Sequence, residues 1–229
     1  MKSFFDKSYL SYLVILGGSV LLLISFGIRH TSGLYLVPIS DHLQTGREIF
    51  GLAVAIQFLL IGIGSPLFGA LADKYGSGKA ALLGVFLVLI GLYWMAHVNS
   101  SFEIIASQAI FGLGAAGCGT AVVLGAVGKS VKEKNRTLSL GIVMAAGSLG
   151  QFLLVPLAGF LIQISDWSTS ILYLTLIAAI MLIFCFPLGY AGKTDTIEKD
   201  TGQSLKDALK EAFKSKSYNL LTIGFFVCG

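Results

Sequence analysis

Charge is what this sequence has least of. Charged residues make up 12% of its 229 residues and hydrophobic residues 55%, whereas an ordinary soluble domain carries about 25% charged residues. Cysteine is also scarce: Cys118, Cys185 and Cys228 all fall inside apolar runs, without the spacing of metal ligands. The low charge excludes a water-soluble domain. The cysteines are interpreted as small buried apolar residues, and no metal or cofactor is expected.

Motifs of catalysis and of nucleic-acid binding are missing too. The apolar segments hold no G-x-S-x-G, no H-E-x-x-H and no paired aspartates, so the pattern disfavours an intramembrane protease or another enzyme. No basic cluster with interleaved aromatic residues lies on a soluble module, which disfavours a nucleic-acid partner.

Long apolar runs are what the sequence does contain. A helix that spans a bilayer needs about 20 mostly apolar residues, and six runs are that long: Tyr9 to Pro38, Phe50 to Leu71, Ala80 to Val98, Phe102 to Val127, Leu138 to Ile164 and Ser168 to Tyr190. The first is too long for the core of a signal peptide. A seventh run opens near Tyr218, and we expect the chain to be cut off inside that helix. The runs predict an all-α membrane protein with a six-helix bundle and a partial seventh helix.

Basic residues predict the orientation in the membrane. If the amino terminus is cytoplasmic, 14 of the 16 lysines and arginines fall in inside segments, Arg47 alone falls in an outside loop, and Arg29 lies within a run. Cytoplasmic loops carry the excess of positive charge. We therefore predict an integral membrane protein with a cytoplasmic amino terminus.

One hydrophilic stretch divides the chain into three predicted parts: the bundle over residues 1–190, a central cytoplasmic loop over 191–216 and the start of the seventh helix over 217–229. Apolar residues recur at helical spacing from Leu205 to Phe213, after a cap-like Ser204 and Asp207. They predict an amphipathic helix on the membrane surface. A solvated linker without fixed structure is the alternative.

Glycines cluster in the fourth and fifth runs. Small residues let membrane helices approach closely, so we expect small-residue packing faces at Gly112, Gly114, Gly117, Gly119 and Gly125, and at Gly141, Gly147, Gly150 and Gly159.

The loop between the second and third runs carries a motif. Residues 69–79 read GALADKYGSGK, which resembles the loop signature G-x-L-A-D-[RK]-x-G-x-x-[RK] of the major facilitator superfamily. The resemblance implies a 12-helix fold, of which this chain would be the amino-terminal half, and a cytoplasmic gate that latches the two halves. Its members would be Gly69, Asp73, Lys74, Gly76 and Lys79. Gly69 would permit close helix contact, Asp73 would face a helix amino terminus, and the basic residues would pair with carboxylates of the other half.

Other segments resemble the monocarboxylate porters and oxalate:formate antiporters of bacteria. They are residues 27–38 (GIRHTSGLYLVP), Arg47-Glu48, residues 147–151 (GSLGQ) with Pro156, and residues 224–229 (GFFVCG). This resemblance implies a bacterial inner-membrane carrier of a small organic anion. In drug/proton antiporters of the superfamily the fourth helix has an arginine where this sequence has Gln108, which weakens that alternative.

Arg29 is the candidate for binding the substrate. A charged residue inside the membrane costs about 2.5–3.5 kcal/mol on insertion scales and more in simulations. Guanidinium is well shaped to hold a carboxylate by two hydrogen bonds. Arg29 lies nine residues before Pro38, about 14 Å from the expected helix end at ~1.5 Å per residue. A structural arginine that snorkels outward or binds backbone carbonyls is the alternative.

Further polar residues in the runs complete the candidate site, although each could instead form a helix-helix hydrogen bond. They are His30, Ser32, Tyr35, Gln57, Gln108 and Gln151. His30 could titrate near neutral pH and assist proton movement. No carboxylate lies in the middle of the six runs, so a proton carrier is expected in the missing half.

The sequence therefore predicts a secondary transporter of a small organic anion, foremost a monocarboxylate, that works by alternating access with proton coupling or anion exchange. Its expected partners are that anion, protons, the lipid bilayer and the missing carboxyl-terminal half. A drug or other solute/proton antiporter of the superfamily, and a membrane sensor that transports nothing, are the alternatives.

Overall fold

The structure is a computed structural model that describes residues 7–191, with side chains from Tyr9 onward. The chain separates into two compact units, Met1–Asp195 and Thr196–Gly229. All described residues belong to the first unit. The predicted central loop from residue 192 onward and the predicted seventh run lie outside the described residues.

The described chain is helical almost throughout. Within residues 7–191 it forms nine α-helices: α1 (Lys7–His30), α2 (Ser32–Leu43), α3 (Arg47–Tyr75), α4 (Ser77–Met95), α5 (Ser101–Gly117), α6 (Thr120–Ser130), α7 (Glu133–Ile164), α8 (Trp167–Ala179) and α9 (Met181–Leu188).

Six segments of this part of the chain are long and apolar enough to cross a membrane. They are Tyr9–His30, Arg47–Tyr75, Ser77–Met95, Ser101–Ser130, Glu133–Ile164 and Trp167–Leu188. Short turns join them, so successive segments run in opposite directions. The predicted six-helix membrane bundle is confirmed.

The first run is interrupted at Thr31, where three side chains form hydrogen bonds with backbone carbonyl groups at the end of α1. His30 Nδ1 bonds the carbonyl of Phe26 at 2.9 Å, Thr31 Oγ1 donates to that of Ile28 at 2.7 Å, and Ser32 Oγ donates to that of Arg29 at 2.8 Å. Such local bonds compete with the regular helical ladder. The segment therefore divides into α1 and α2 at this point.

The predicted end of the first run at Pro38 is wrong. Pro38 lies inside α2, which continues to Leu43 and ends at Gln44 in the left-handed conformation, with φ of 52°. Membrane helices tolerate proline because neighbouring groups satisfy the freed carbonyl. The second helix thus ends five residues beyond the predicted end of the apolar run.

Backbone contacts at glycines hold the spans together. α1 packs chiefly on α7, and α5 packs between α3 and α4. A Cβ added at Gly150 of α7 would overlap the carbonyl oxygen of Leu23, and one at Gly114 of α5 would lie 2.5 Å from Val88 N. Helices in lipid gain little from hydrophobic burial, so close van der Waals contact drives their association.

The predicted small-residue faces are only partly right. Gly112, Gly114, Gly117, Gly119, Gly147 and Gly150 have neighbours that a Cβ would crowd. Within the described part of the chain, Gly125 and Gly141 have no atom within 4 Å of such a Cβ, and Gly159 has one at 3.9 Å. These three glycines lie on parts of their helices that do not face a neighbour closely, which residue type alone does not reveal.

The two ends of the bundle differ in charge. One end, here called the basic face, carries six basic and two acidic residues within residues 9–191: Lys74, Lys79, Lys129, Lys132, Lys134 and Arg136, with Asp73 and Glu133. The other end, the acidic face, carries Asp41, Glu48, Glu103 and Asp166, with Arg47. Acidic side chains also cap helices there. Asp166 caps α8 by accepting from Thr169 N at 3.4 Å, and hydrogen bonding to Thr169 lowers the pKa of Asp166.

A substitution at Gly150 tests the α1–α7 contact. Gly150→Ala should lower the thermal unfolding midpoint of the purified protein in detergent, because the added methyl group forces the two backbones apart. The free energy of unfolding should fall by about 1–3 kcal/mol. Gly141→Ala, on the same helix but facing open space, is the matched control and should leave the midpoint nearly unchanged. Equal midpoints for both variants would contradict this packing.

Candidate functional site

Arg29 lies in the last turn of α1, which ends at His30, and α2 continues the chain to Leu43. Leu43 is 14 residues further on, about 21 Å away if the helical rise of ~1.5 Å per residue continues through the turn at Thr31. Lys7, at the start of α1, is 22 residues away, or about 33 Å. Because α2 extends past Pro38, the helical chain beyond Arg29 is five residues longer than the sequence indicated.

Two aromatic rings flank the guanidinium. Its Cζ lies 4.6 Å from the ring centroid of Phe26 on α1 and 5.6 Å from that of Phe58 on α3. Cation–π contacts of this kind contribute about 0.5–2 kcal/mol each, more when desolvated. Arg29 Nε is buried without a hydrogen-bond partner, and within residues 9–191 no carboxylate pairs with Arg29. We call Phe26, Arg29 and Phe58 the arginine cluster; it holds a cation that lacks a counterion in the described chain.

His30 and Ser32 adjoin the arginine cluster but are tied to the backbone. A carbonyl oxygen only accepts, so the contact of His30 Nδ1 with the Phe26 carbonyl makes Nδ1 the donor and leaves Nε2 as an acceptor in the neutral ring. The His30 side chain is exposed and Ser32 is half-buried. The Nε2 atom of His30 therefore stays available as an acceptor at this turn.

Tyr35 and Gln108 point into the bundle. Tyr35, 1% exposed, shares a hydrogen bond of 2.8 Å with Ser170 Oγ on α8. Gln108, 2% exposed, donates from Nε2 to Met95 Sδ at 3.4 Å. Both residues line an internal cavity of about 10 Å³, which is roughly the space of one water molecule. In this half of the bundle they make helix-helix contacts and do not line an open cavity.

Gln57 is completely buried, and neither polar atom of its amide has a hydrogen-bond partner in the described structure. Its backbone faces Gly112, where an added Cβ would lie 2.5 Å from the Gln57 carbonyl oxygen. Gln151 is half-buried and follows Gly150, whose carbonyl oxygen lies against Gly27 of α1. Of the predicted glutamines, Gln151 is thus the one that combines partial exposure with a helix packed beside the turn of Arg29.

The loop motif forms its ion pair within this half. Asp73 accepts from Lys129 Nζ at 2.5 Å, and both side chains are at least half exposed. Lys74 Nζ lies 5.2 Å from the ring centroid of its neighbour Tyr75. Gly76 adopts φ of 98°, a conformation that other residues rarely take, which explains a glycine between α3 and α4.

Two residues of the loop motif, Gly69 and Lys79, lie at open positions in the described chain. A Cβ at Gly69 would have no atom of the described chain within 4 Å, so the predicted close helix contact there is not present in this half. α3 makes its close contact at Gly64 instead, where a Cβ would lie 2.7 Å from Ala116 Cβ. Lys79 is exposed on the third residue of α4.

Sequence reasoning missed three residues of these sites: Phe26, Phe58 and Lys129. Phe26 precedes Arg29 by three residues, so helical spacing could have placed it on the same face. Phe58 and Lys129 reach their partners across helix contacts, and no local signal indicates either. Lys129 was expected on the same side of the membrane as Asp73, but without a partner.

Comparison with known proteins identifies the family. The family model described as Major Facilitator Superfamily matches residues 16–229. The chain belongs to this superfamily. It is therefore an integral membrane protein of a transporter family, and the identification made from the loop motif is confirmed.

Relatives within the Major Facilitator Superfamily match at low identity. The chain is 25% identical over 156 residues to Monocarboxylate transporter 11 of Mus musculus, covering 66% of this chain and 34% of that protein. It is 25% identical over 171 residues to the Oxalate:formate antiporter of Oxalobacter formigenes, covering 73% of this chain and 40% of that protein. The chain spans about 28–41% of the length of these curated relatives.

A solved superfamily structure has the same fold. The crystal structure of a peptide transporter POT (E310Q mutant) superposes with a TM-score of 0.70 at 16% identity. The match covers 98% of this chain and 50% of that one. At this identity the likeness supports the fold alone, which is that of a half bundle.

A substitution at Gln57 tests whether its buried amide stabilises the bundle. Gln57→Met should leave the free energy of unfolding unchanged or raise it by up to about 1–3 kcal/mol, because it removes a buried amide without partners. The thermal unfolding midpoint should stay the same or rise accordingly. Gln151→Met, at a half-buried position, is the control and should change the midpoint little. A marked loss of stability in Gln57→Met alone would contradict the account by showing that this amide has partners.

Proposed function

We propose that this chain is the amino-terminal half of a secondary transporter of a small organic anion, with monocarboxylates as the main substrate class. The single observation that carries the proposal is Arg29, a guanidinium within the first apolar run that has no carboxylate partner in the described chain. An uncompensated charge inside a membrane is costly. An anionic substrate would supply the missing countercharge.

The chemistry of the arginine cluster fits a carboxylate. Guanidinium offers parallel N–H donors that match the two carboxylate oxygens. The rings of Phe26 and Phe58 hold the cation through their faces, an interaction that uses none of its N–H groups as donors to an acceptor atom. Those donors stay free for a ligand, and the aromatic walls would accept the short apolar tail of a monocarboxylate.

The relatives support the same class of substrate. The printed names of two of them are a monocarboxylate transporter and an oxalate:formate antiporter. Each acts on carboxylates by name.

Alternating access would require the second half. Transporters of this kind place the substrate near the midplane between two repeats that rock around it. No carboxylate lies in the middle of the described spans, so proton coupling would use residues beyond them, with His30 Nε2 as a candidate acceptor at the turn. Coupling to protons and exchange of one anion for another both accord with this arrangement.

The proposed location is a bacterial cytoplasmic membrane with the amino terminus inside. The basic face would be cytoplasmic, because positive charge is retained on that side. The Asp73–Lys129 pair and Lys79 would then lie at the cytoplasmic gate, where the motif would meet the other half.

Transport by Arg29 variants tests the proposal. In proteoliposomes of the full-length protein, Arg29→Gln should reduce uptake of labelled lactate or acetate at least about tenfold, since a hydrogen bond to a charged group contributes about 1.5–3 kcal/mol. Arg29→Lys should retain part of the activity, because it keeps the charge and loses the paired donors.

Arg47→Gln is the matched control, because Arg47 is exposed on the acidic face, and it should transport normally. Unchanged affinity and rate in Arg29→Gln would remove the arginine from the site. Binding of labelled substrate without counterflow in the unmodified protein would instead indicate a sensor that transports nothing.

A further inference from the structure

A pocket opens at the basic face between α4 and the end of α9. Its volume is about 170 Å³, and it is lined by Gly78, Lys79 and Leu82 of one helix and Cys185, Phe186 and Gly189 at the other. The two helices meet at glycines here: a Cβ on Gly78 would lie 2.6 Å from Gly189 Cα. Because neither glycine has a side chain, the groove beside this contact stays open.

The walls of the pocket are apolar and one side is exposed. Cys185 is 3% exposed and forms part of the floor, whereas Phe186 is 72% exposed at the edge. Phe86, half exposed, follows Leu82 by four residues and so lies on the same face of α4. Ile183, 66% exposed, precedes Phe186 by three residues on the other helix. An apolar strip therefore leads from the pocket towards the middle of the membrane.

The helices around the pocket expose apolar side chains, among them Leu83 and Ile90 of α4, Leu176 of α8 and Ile183 of α9. Between Ala80 and Met95, and between Trp167 and Leu188, the chain has no charged residue. The charged or amide side chains of the candidate substrate site lie on α1, α3, α5 and α7 instead. The pocket thus opens where hydrocarbon, and not a polar substrate path, is the expected surroundings.

Lys79 supplies one positive charge at the mouth of the pocket. It lies at the third residue of α4, at the level where the span meets the headgroups. Its side chain is exposed, and within the described residues it forms no ion pair, since the ion pair there joins Lys129 to Asp73. A free ammonium above an apolar groove is complementary to a molecule with an anionic head and an apolar tail.

We propose that this pocket binds one anionic phospholipid, with its phosphate at Lys79 and an acyl chain along Phe186, Phe86 and Ile183. The inference rests on the membrane fold and not on the proposed substrate. An attraction of this kind contributes about 1 kcal/mol per basic residue near a charged leaflet. The apolar contact contributes equally to the binding of an anionic and of a zwitterionic lipid. The preference for the anionic lipid therefore comes from Lys79.

Native mass spectrometry of the full-length protein tests the site. The protein in detergent is mixed with equal amounts of the phosphatidylglycerol POPG and the phosphatidylcholine POPC, and the lipids retained on it are counted. The unmodified protein should retain one POPG in preference to POPC. Lys79→Gln should lower the association constant for POPG about fivefold and leave that for POPC unchanged. Lys79→Arg should restore the preference.

Lys134→Gln is the matched control, because Lys134 is exposed on the same basic face but outside the pocket. It should retain POPG as the unmodified protein does. Leu82→Trp, which fills the pocket, should weaken retention of both lipids without lowering the thermal midpoint of the protein.

Three results would overturn the proposal. The first is equal retention of POPG and POPC by the unmodified protein. The second is an equal loss of POPG in Lys79→Gln and Lys134→Gln, which would mean that the whole basic face attracts lipid. The third is unchanged POPG binding in both Lys79→Gln and Leu82→Trp, as expected if another segment of this chain covers the pocket. The measurement here is lipid retention and not anion transport, so failure here is distinguishable from failure of the proposed function.

Discussion

Close contact between backbones at glycines is the constraint on which this bundle depends. Lipid chains are as apolar as leucine, so the spans gain little by hiding apolar side chains from them. The helices associate instead where Gly150 meets the Leu23 carbonyl and Gly114 meets Val88. These contacts fix α1 against α7 and α5 against α4. Other positions along the same helices, such as Gly141 and Gly125, are left open.

This packing decides which polar groups can act. Tyr35 and Gln108 lie in the interior, where they contact Ser170 and Met95. Gln57 lies against Gly112 with its amide unpaired. Arg29, two residues beyond the packed Gly27, is directed instead to Phe58 of α3. The helix contacts thus bury three of the predicted site residues and leave the arginine between aromatic rings without a counterion in the described chain.

Much of the fold could be predicted because the thickness of the bilayer's hydrocarbon core sets the length of a spanning helix. Each apolar run of about 20 residues must span the membrane, and the basic residues sort the loops to two faces. The helix ends were less predictable: Pro38 does not end its helix, because the packed surroundings tolerate the missing hydrogen bond. The pairing of Asp73 with Lys129 was not visible either, since it joins residues of two different helices that no local pattern links.

The candidate site was predictable in its charge and not in its geometry. Arg29 stands out in the sequence because it is a cation inside an apolar run. Whether a glutamine faces a neighbouring helix or an open cavity depends on how each helix is rotated, and the sequence pattern is almost uniformly apolar around these helices. Phe58 could not be found for the same reason. The site that we propose therefore comprises the arginine cluster, His30 and Gln151, and these are the residues at which substitutions test the proposed function.

The most direct measurement is whether a cation restored at position 29 restores lactate uptake. A cysteine placed there by Arg29→Cys, in full-length protein whose native cysteines are replaced, can be alkylated with 2-bromoethylamine, which gives a cationic side chain close to lysine in length. The account predicts that Arg29→Cys loses most of its uptake of labelled lactate, that the reagent reaches the position from water, and that aminoethylation restores part of the uptake. A position that the reagent never reaches, or a modified cysteine that fails to restore lactate uptake, would contradict the claim that Arg29 holds the anion.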